Sequence, residues 1–310
     1  MSSPLVSVVV ITYNSLPFVI ETLESIKNQL YQNIELIISD DCSTDDTFLI
    51  CKNWIDKNSS RFVNCQVAKT AANVGIPGNC NQGFDLAKGE WIKLIAGDDY
   101  LLNNCITDYV DYINKNTNSA IVYSEAIKID ENSNILPVNT AMYIDEIGHW
   151  RNYFFKQSVE VQLKYYVRDP IFLISPTIFI NKATLIALGG FDDSLRVYED
   201  IVVIIKLLRA GNKIDYFSKE TVAYRIHSGS ISKSKNKEKE LRNLSELSYI
   251  YKNYRKPLLK NTNVLDLNSK FIAWLQFDYT LKYKLKGARF FQKFNLFKLY
   301  QRLSLYWYKD

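Results

Sequence analysis

An α/β fold with a largely parallel sheet is predicted by three observations. Short β-branched runs recur through the first third of the chain, each is followed by a stretch with helical spacing, and polar or acidic residues stand just after the runs. Alternating strands and helices imply parallel strands joined by crossovers, and such sheets bind ligands beyond the carboxyl ends of their strands.

Val6 to Ile11, Ile34 to Ser39, Phe62 to Ala68 and Trp91 to Ile95 read as strands. Ile20, Leu23, Ile26 and Leu30 recur at three- and four-residue spacing and predict a helix over Pro17 to Gln29. A second helix is expected over Asp45 to Asn58, capped by Ser43 or Thr44. The turn-rich stretch Asn73 to Asn81 reads as a loop leading into a helix that ends near Lys88 and Gly89. After Asn118 the pattern is less regular. A strand is expected near Ala120 to Tyr123, and the periodicity of the aromatic segment Tyr143 to Tyr166 does not resolve. Order returns at Ser175 to Ile180, followed by a turn at Gly189 and Gly190, a helix over Asp200 to Ala210 and a strand around Val222 to Ile226. A charged linker, Lys233 to Lys239, leads to helical segments at Glu240 to Tyr254, Leu267 to Lys284 and Arg289 to Tyr308.

At 310 residues with 47% hydrophobic content the chain can bury a large core. A formal charge of +5 gives no case for nucleic acid as partner. Cys42, Cys51, Cys65, Cys80 and Cys105 are scattered and lack any CxxC spacing, which argues against a disulfide framework and against a zinc site. The apolar run from Leu5 to Ile11 is too short and too β-branched for a signal peptide, and no uncharged stretch approaches the roughly 18 to 20 residues that cross a bilayer. The expected location is the cytoplasm.

The first strand ends in Thr12-Tyr13-Asn14 and the second in Asp40-Asp41, followed by Cys42 to Thr47. A carboxylate that accepts from an imide NH, beside a tyrosine ring that packs on the base, would fix a nucleoside. Capping of the following helix explains the same acids equally well. The amides of Asn73 to Asn81 could approach a ribose or a phosphate, although such a stretch is usually a plain loop. The strongest single feature is Gly97-Asp98-Asp99-Tyr100, two consecutive acids after a buried-looking strand. Neighbouring carboxylates there are costly unless something positive lies between them, and a divalent cation bridging two phosphates is the natural occupant.

Taken in order, Ser7 to Asn14, Glu35 to Thr47, Asn73 to Asn81 and Gly89 to Tyr100 resemble the inverting glycosyltransferase family 2, over roughly residues 5 to 230. Gly189-Gly190-Phe191-Asp192, Tyr198-Glu199-Asp200 and Tyr224-Arg225-Ile226-His227 are similar to later elements of that family. The resemblance implies a GT-A fold, a mixed central sheet flanked by helices, with a helical C-terminal extension. Residues 1–232 would form the catalytic domain, divided into a nucleotide-sugar half (1–117) and an acceptor half (118–232), and 233–310 the extension.

By resemblance, Tyr13 and Asp41 would hold the base, with Asn14, Asn73 and Gly75 around the nucleotide sugar; Asp98 would hold the ribose and Asp99 a Mn²⁺ or Mg²⁺ ion. His227 would add a metal ligand or touch the diphosphate, unless it is only a surface histidine after a strand. Asp200 would be the general base, with Glu199 setting its ionisation or binding acceptor. Two departures stand out. Gly78-Asn79 replaces the Arg-Asn pair of many members, and Gly97 replaces the first acid of the metal motif. The implied activity is single-displacement transfer from a nucleotide sugar, by inference a UDP-sugar, to a glycan in bacterial surface-polysaccharide synthesis.

From Lys282 to Lys309 every charged residue is basic, and Phe290, Phe294, Phe297 and Tyr300 recur at helical spacing with Leu296, Leu299 and Leu303. That pattern suits a helix on the anionic inner face of a membrane, where a polyprenyl-linked acceptor would lie. It suits equally a helix packed on the catalytic domain or on a second subunit. A sugar nucleotidyltransferase would open with a glycine-rich, arginine-containing loop where this chain has Thr12 to Pro17. A silent homologue acting as a binding subunit sits poorly with intact Asp41, Asp99 and Asp200. A dinucleotide oxidoreductase would show GxGxxG after the first strand.

Overall fold

The computed structural model describes residues 3–137, 153–170, 173–229, 237–259 and 264–274. The chain divides into two compact units. The first comprises Met1–Pro137, Leu173–Val203 and Asn212–His227; the second comprises Val138–Phe172, Ile204–Gly211 and Ser228–Asp310.

The first unit carries strands β1 (Val6–Thr12), β2 (Ile34–Asp40), β3 (Asn64–Lys69), β4 (Trp91–Ala96), β5 (Tyr100–Leu101), β6 (Ile121–Ile129), β7 (Phe179–Asn181) and β8 (Ile214–Arg225). They form a mixed sheet in the order β3-β2-β1-β4-β7-β6-β8-β5. The half containing β3, β2, β1 and β4 is parallel, β7 runs antiparallel to β4 and β6, and β8 pairs parallel with β6. All seven residues of β2 are buried, as expected for a strand covered on both faces.

Helices α1 (Val19–Lys27), α2 (Thr47–Asn58), α3 (Gly75–Leu86) and α4 (Cys105–Lys115) flank this sheet, with short α6 (Lys182–Ala187) and the start of α7 (Glu199–Arg209) later in the chain. The core on one face joins Val6, Val8 and Val10 of β1 to Leu36 and Ile38 of β2, Leu23 and Ile26 of α1, and Trp54 of α2. Mixed sheet and flanking helices are the architecture expected from the sequence.

Several local expectations are corrected. Helix α1 buries Val19, Thr22, Leu23 and Ile26, while Ile20 and Leu30 are exposed. Helix α2 is entered at Asp46 with no side-chain cap bond; the Ser43 hydroxyl instead donates to Asp40, and Asp45 accepts from the Thr47 amide. The stretch from Gly75 to Asn81 is the beginning of α3 rather than a loop before it. Ser175–Thr177 is a 3₁₀ turn before β7, and β8 begins at Ile214, eight residues ahead of the expected start.

The second unit contains α5 (Val159–Arg168), α8 (Lys237–Ile250), a π turn at Tyr251–Arg255 and α9 (Val264–Ala273). Helix α5 begins within the aromatic segment that gave no clear period and ends two residues beyond it, and α8 starts inside the expected linker. Val167, Leu244, Tyr251, Leu259 and Ala273 form its core. Arg168 and Asp266 make a buried ion pair, and the Arg255 guanidinium donates to the carbonyls of Val167 (2.9 Å) and Arg168 (2.7 Å) at the end of α5. The basic, aromatic arm from Lys282 to Lys309 and residues 143–152 of the aromatic segment lie outside the described residues. Among the described residues no helix is long and apolar enough to cross a membrane.

Candidate active site

Strand register gathers the polar tips. Thr12 pairs with Asp40 and Ile11 with both Ser39 and Ala96, so Tyr13, Asp41 and Gly97 all leave the sheet at one edge. Asp40 is fully buried and ties two tips together. It accepts from the Thr12 hydroxyl at 2.9 Å, the Ser43 amide at 2.9 Å and the Ser43 hydroxyl at 2.5 Å. Asn14 adopts φ +52°, in the left-handed region that asparagine tolerates, and its side chain accepts from the Thr44 amide at 2.9 Å. Tyr13 beside it is 50% exposed, leaving its ring face available for stacking.

Asp41 is buried and holds the start of α3. Its Oδ1 accepts from the Val74 amide (2.7 Å) and the Thr70 hydroxyl (3.2 Å), and its Oδ2 from the Gly75 amide (2.9 Å). A carboxylate offers about four acceptor positions, so one remains on Oδ2 for a further donor. Gly75 sits at φ +84°, and a Cβ there would come within 3.3 Å of the Arg196 backbone. Asn73 accepts from the Arg196 guanidinium at 2.9 Å. Arg196, absent from the sequence reading, lines with Thr70, Asn73, Val74 and Gly78 a groove of about 690 Å³. At Gly78 an added Cβ would meet Val74 at 2.7 Å, so the arginine of many relatives would not fit without displacing Val74. Asn79 is buried and structural, accepting from Ser39 at 2.6 Å.

The two acids after β4 have different surroundings. Asp99 is 2% exposed; its Oδ1 accepts from the Arg225 amide at 2.8 Å and its carbonyl from the Thr22 hydroxyl at 2.6 Å. Burial, then the neighbouring Asp98, push its carboxyl well above the usual range. The Asp98 side chain is 31% exposed, and its Oδ2 lies 3.0 Å from His227 Nε2. The His227 ring packs against Phe18 at 4.9 Å, and the Arg225 guanidinium lies over the same Phe18 ring at 4.7 Å. Arg225 is buried, pairs with Glu21 and donates to the Asp98 carbonyl at 2.7 Å, so it fixes both the acidic turn and the histidine strand. Gly97 is needed because a Cβ would meet Thr12 at 2.8 Å, which accounts for the missing first acid.

At the start of α7, Asp200 accepts from the Ser175 hydroxyl at 3.1 Å and the Ile201 amide at 2.8 Å. Burial raises its carboxyl to about 6, and these bonds oppose the rise. Glu199 is buried beside it. After burial itself, the charges of Glu199 and Asp41 raise the Cys80 thiol, so both acids act on the same interior point of α3. The structure thus joins Asp98 to His227, and Asp41 to Asn73 and Gly75, while Asp200 forms its own group with Ser175. Sequence reasoning missed Phe18, Arg196 and Ser175; Arg225 was quoted within its tetrapeptide but given no role.

Known proteins bear on this arrangement. The sequence model of glycosyl transferase family 2 matches residues 7–175. An uncharacterised glycosyltransferase of Rickettsia typhi is 27% identical over 268 residues, 85% of this chain and 75% of its own length. The structure is similar to that of S. aureus TarS 1-349 in complex with UDP-GlcNAc, with TM-score 0.57, 19% identity and coverage of 89% of this chain and 81% of that one. It is also similar to the mannosyltransferase PcManGT from Pyrobaculum calidifontis in complex with GDP-Man and Mn²⁺, with TM-score 0.59, 15% identity and coverage of 99% and 88%. With more than half of its length matched, the chain belongs to glycosyl transferase family 2 and is a glycosyltransferase of GT-A fold.

Proposed function

We infer that the protein transfers a sugar from a nucleoside diphosphate sugar, a UDP-sugar, to a hydroxyl of a glycan with inversion at the anomeric carbon. The observation that carries this reading is Asp200: a carboxylate raised to about 6 and held in place by Ser175 is poised to take a proton near neutral pH. Glu199, buried at the same helix start, adds negative charge there. The remaining acceptor position of Asp41 suits the imide NH of uracil, Tyr13 offers a ring for the base, and the loop of Asn14, Asn73 and Gly75 borders the nucleotide. Binding of UDP-GlcNAc by one structural neighbour and of GDP-Man with Mn²⁺ by another supports a nucleotide-sugar donor.

Asp98 and His227 together present one carboxylate oxygen and one imidazole nitrogen, a donor pair that suits Mn²⁺ better than the all-oxygen preference of Mg²⁺. Asp99 is the less suitable ligand, since its carboxylate is buried and accepts from the Arg225 amide. The metal-holding role that the resemblance implies for Asp99 passes in this reading to Asp98: Asp98 with His227 would hold the cation, and Asp99 would shape the turn. Two donors leave the remaining positions to diphosphate oxygens and water. A bound cation there would neutralise charge on the departing diphosphate.

The acceptor is read as a lipid-linked glycan of a bacterial surface polysaccharide, with the chain resting on the inner face of the membrane through its C-terminal part. Leu267 and Phe271 on α9 and Trp274 just beyond it are exposed, eight or more residues ahead of the basic, aromatic stretch that begins at Lys282, and this supports the assignment. In this division residues 1–232 are the catalytic domain and 233–310 the extension. The test is a panel of UDP-, GDP- and other nucleotide sugars incubated with the protein and Mn²⁺ or Mg²⁺, following hydrolysis and binding. Cation-dependent hydrolysis of one UDP-sugar, lost in Asp200→Asn, is the expected result. Failure to bind any nucleotide sugar would overturn the reading.

A further inference from the structure

The sheet buries one lysine completely. Lys93 lies in β4 with no solvent exposure, and burial lowers its ammonium to about 8. Among the described residues no carboxylate pairs with it directly. Its Nζ donates instead to backbone carbonyls: Pro176, Ile178 (3.3 Å) and Leu94 (3.2 Å). The carbonyl between the first two, that of Thr177, accepts from the buried Tyr109 hydroxyl. Three successive carbonyls of one short turn are therefore gripped from the sheet side.

Tyr109 is itself oriented. Having given its proton to Thr177, its oxygen must accept from Ser124 at 2.8 Å, and Ser124 in turn accepts from Thr221 at 2.6 Å. The Tyr109 ring also lies under the ammonium, 5.5 Å from its centroid. On its other side the turn is closed by its own bonds, from the Thr177 amide to the Ile174 carbonyl and from the Ile178 amide to the Ser175 carbonyl. The residue this turn presents is Ser175, whose hydroxyl donates to Asp200 at 3.1 Å.

An apolar side chain at position 93 would fill the core without the desolvation cost of an ammonium, so the charge calls for an explanation beyond packing. Carbonyl oxygens pointing into a sheet need donors, and a lysine supplies three from one atom. We propose that Lys93 and Tyr109 are positioning residues for Asp200, acting through the Ser175–Ile178 turn: they fix the turn that holds the Ser175 hydroxyl against the carboxylate. The proposal rests on the reading of Asp200 as the base that activates the acceptor, but its test does not need a donor sugar.

The test is a carbon-detected NMR titration of the Asp200 carboxyl in protein labelled with ¹³C-aspartate, with Asp200→Asn to assign the signal. Ser175→Ala removes a bond to the ionised form and raises the midpoint. Lys93→Met and Tyr109→Phe are each expected to raise it in the same direction, by about 0.5 unit or more, a shift typical of a lost hydrogen bond. In the Ser175→Ala background neither is expected to add a shift, because the route to Asp200 has already been cut. A Lys93→Met shift that persists in that background would identify a direct charge effect and overturn the proposal. So would an unmoved midpoint in both single variants. If Lys93→Met does not fold, Tyr109→Phe, which removes a single hydroxyl, decides by the same two criteria. Loss of turnover with every nucleotide sugar in the unmutated protein would sink the transferase reading while leaving this coupling measurable.

Discussion

The Asp98 carboxylate and the His227 imidazole stand 3.0 Å apart, brought together from sequence positions 129 residues distant by the pairing of β5 with β8. Asp99, one residue on, turns into the sheet and accepts from the Arg225 amide. Two adjacent acids thus have different surroundings. We expect Asp98→Asn and His227→Ala to weaken Mn²⁺ binding by at least about tenfold, in line with loss of one of few ligands, while melting temperature changes little. Asp99→Asn, which keeps an acceptor for the Arg225 amide and removes a buried carboxyl held above its usual range, should leave cation affinity nearly unchanged and melt no lower than the unmutated protein at pH 8. Manganese titration by electron paramagnetic resonance, paired with thermal melts, separates the two; equal loss of cation affinity in Asp98→Asn and Asp99→Asn would contradict the assignment.

As the proposed base, Asp200 would set a pH dependence whose sign is fixed. Its carboxyl is raised to about 6, and a base works ionised, so turnover should rise with pH through about 6. Asp200→Asn should reduce turnover by about 10²- to 10⁴-fold, the range for a lost general base. Stability runs the other way. Because the folded-state value lies above that of the unfolded chain, this group favours the folded state below the unfolded value and loses that contribution as pH rises through about 6. Asp200→Asn should therefore melt higher than the unmutated protein at pH 8, with the gap closing at pH 4. A turnover profile flat between pH 5 and 7.5 would argue against this role.

Glu35 is a structural acid with the opposite sign. Burial would raise its carboxyl, but the Ser7 hydroxyl (2.6 Å), the Asn64 amide (3.0 Å) and the backbone amides of Lys88 and Gly89 outweigh it, and the net value is lowered. The stability it contributes is present above the unfolded value near 4.5 and is lost as pH falls through the lower folded value. Glu35→Ala leaves a buried hydroxyl and amide without an acceptor and should cost about 1–3 kcal/mol in chemical denaturation at pH 7, with a smaller cost at pH 3.

How far the sequence discloses this molecule depends on the range of the interactions. The first four strands and the acids at their tips were legible, because β-branched runs and the residues after them are local signals. The unequal surroundings of Asp98 and Asp99 were not, since they depend on Arg225, 126 residues later in the chain. The start of α3 was misread as a loop because glycine, proline and asparagine there resemble a turn; Asp41, 33 and 34 residues earlier, supplies the acceptors that satisfy the amides at the helix entrance. Lys93 gave no signal either, as one charge in a strand ordinarily reads as a solvent-facing position. The later half of β8 was found from Val222 to Ile226, but its first half contains Ser218, Lys219 and Glu220, exposed positions with no apolar run to mark them.

Asp41 offers the sharpest separation of structure from binding. Replacing it by asparagine keeps the shape but turns one acceptor into an NH₂ donor that faces either the Val74 or the Gly75 amide, and two donors cannot pair. The first turn of α3 should loosen, seen as faster amide hydrogen exchange at Ile76 and Gly78. UDP affinity should fall by about tenfold or more, the cost of roughly one lost hydrogen bond to a charged acceptor. Gly75→Ala disturbs the same turn through its φ of +84° without changing the carboxylate. If Gly75→Ala speeds exchange as much as Asp41→Asn yet leaves UDP affinity intact, the carboxylate contacts the nucleotide directly. If both variants lose affinity in step with exchange, Asp41 serves the nucleotide only by holding the turn.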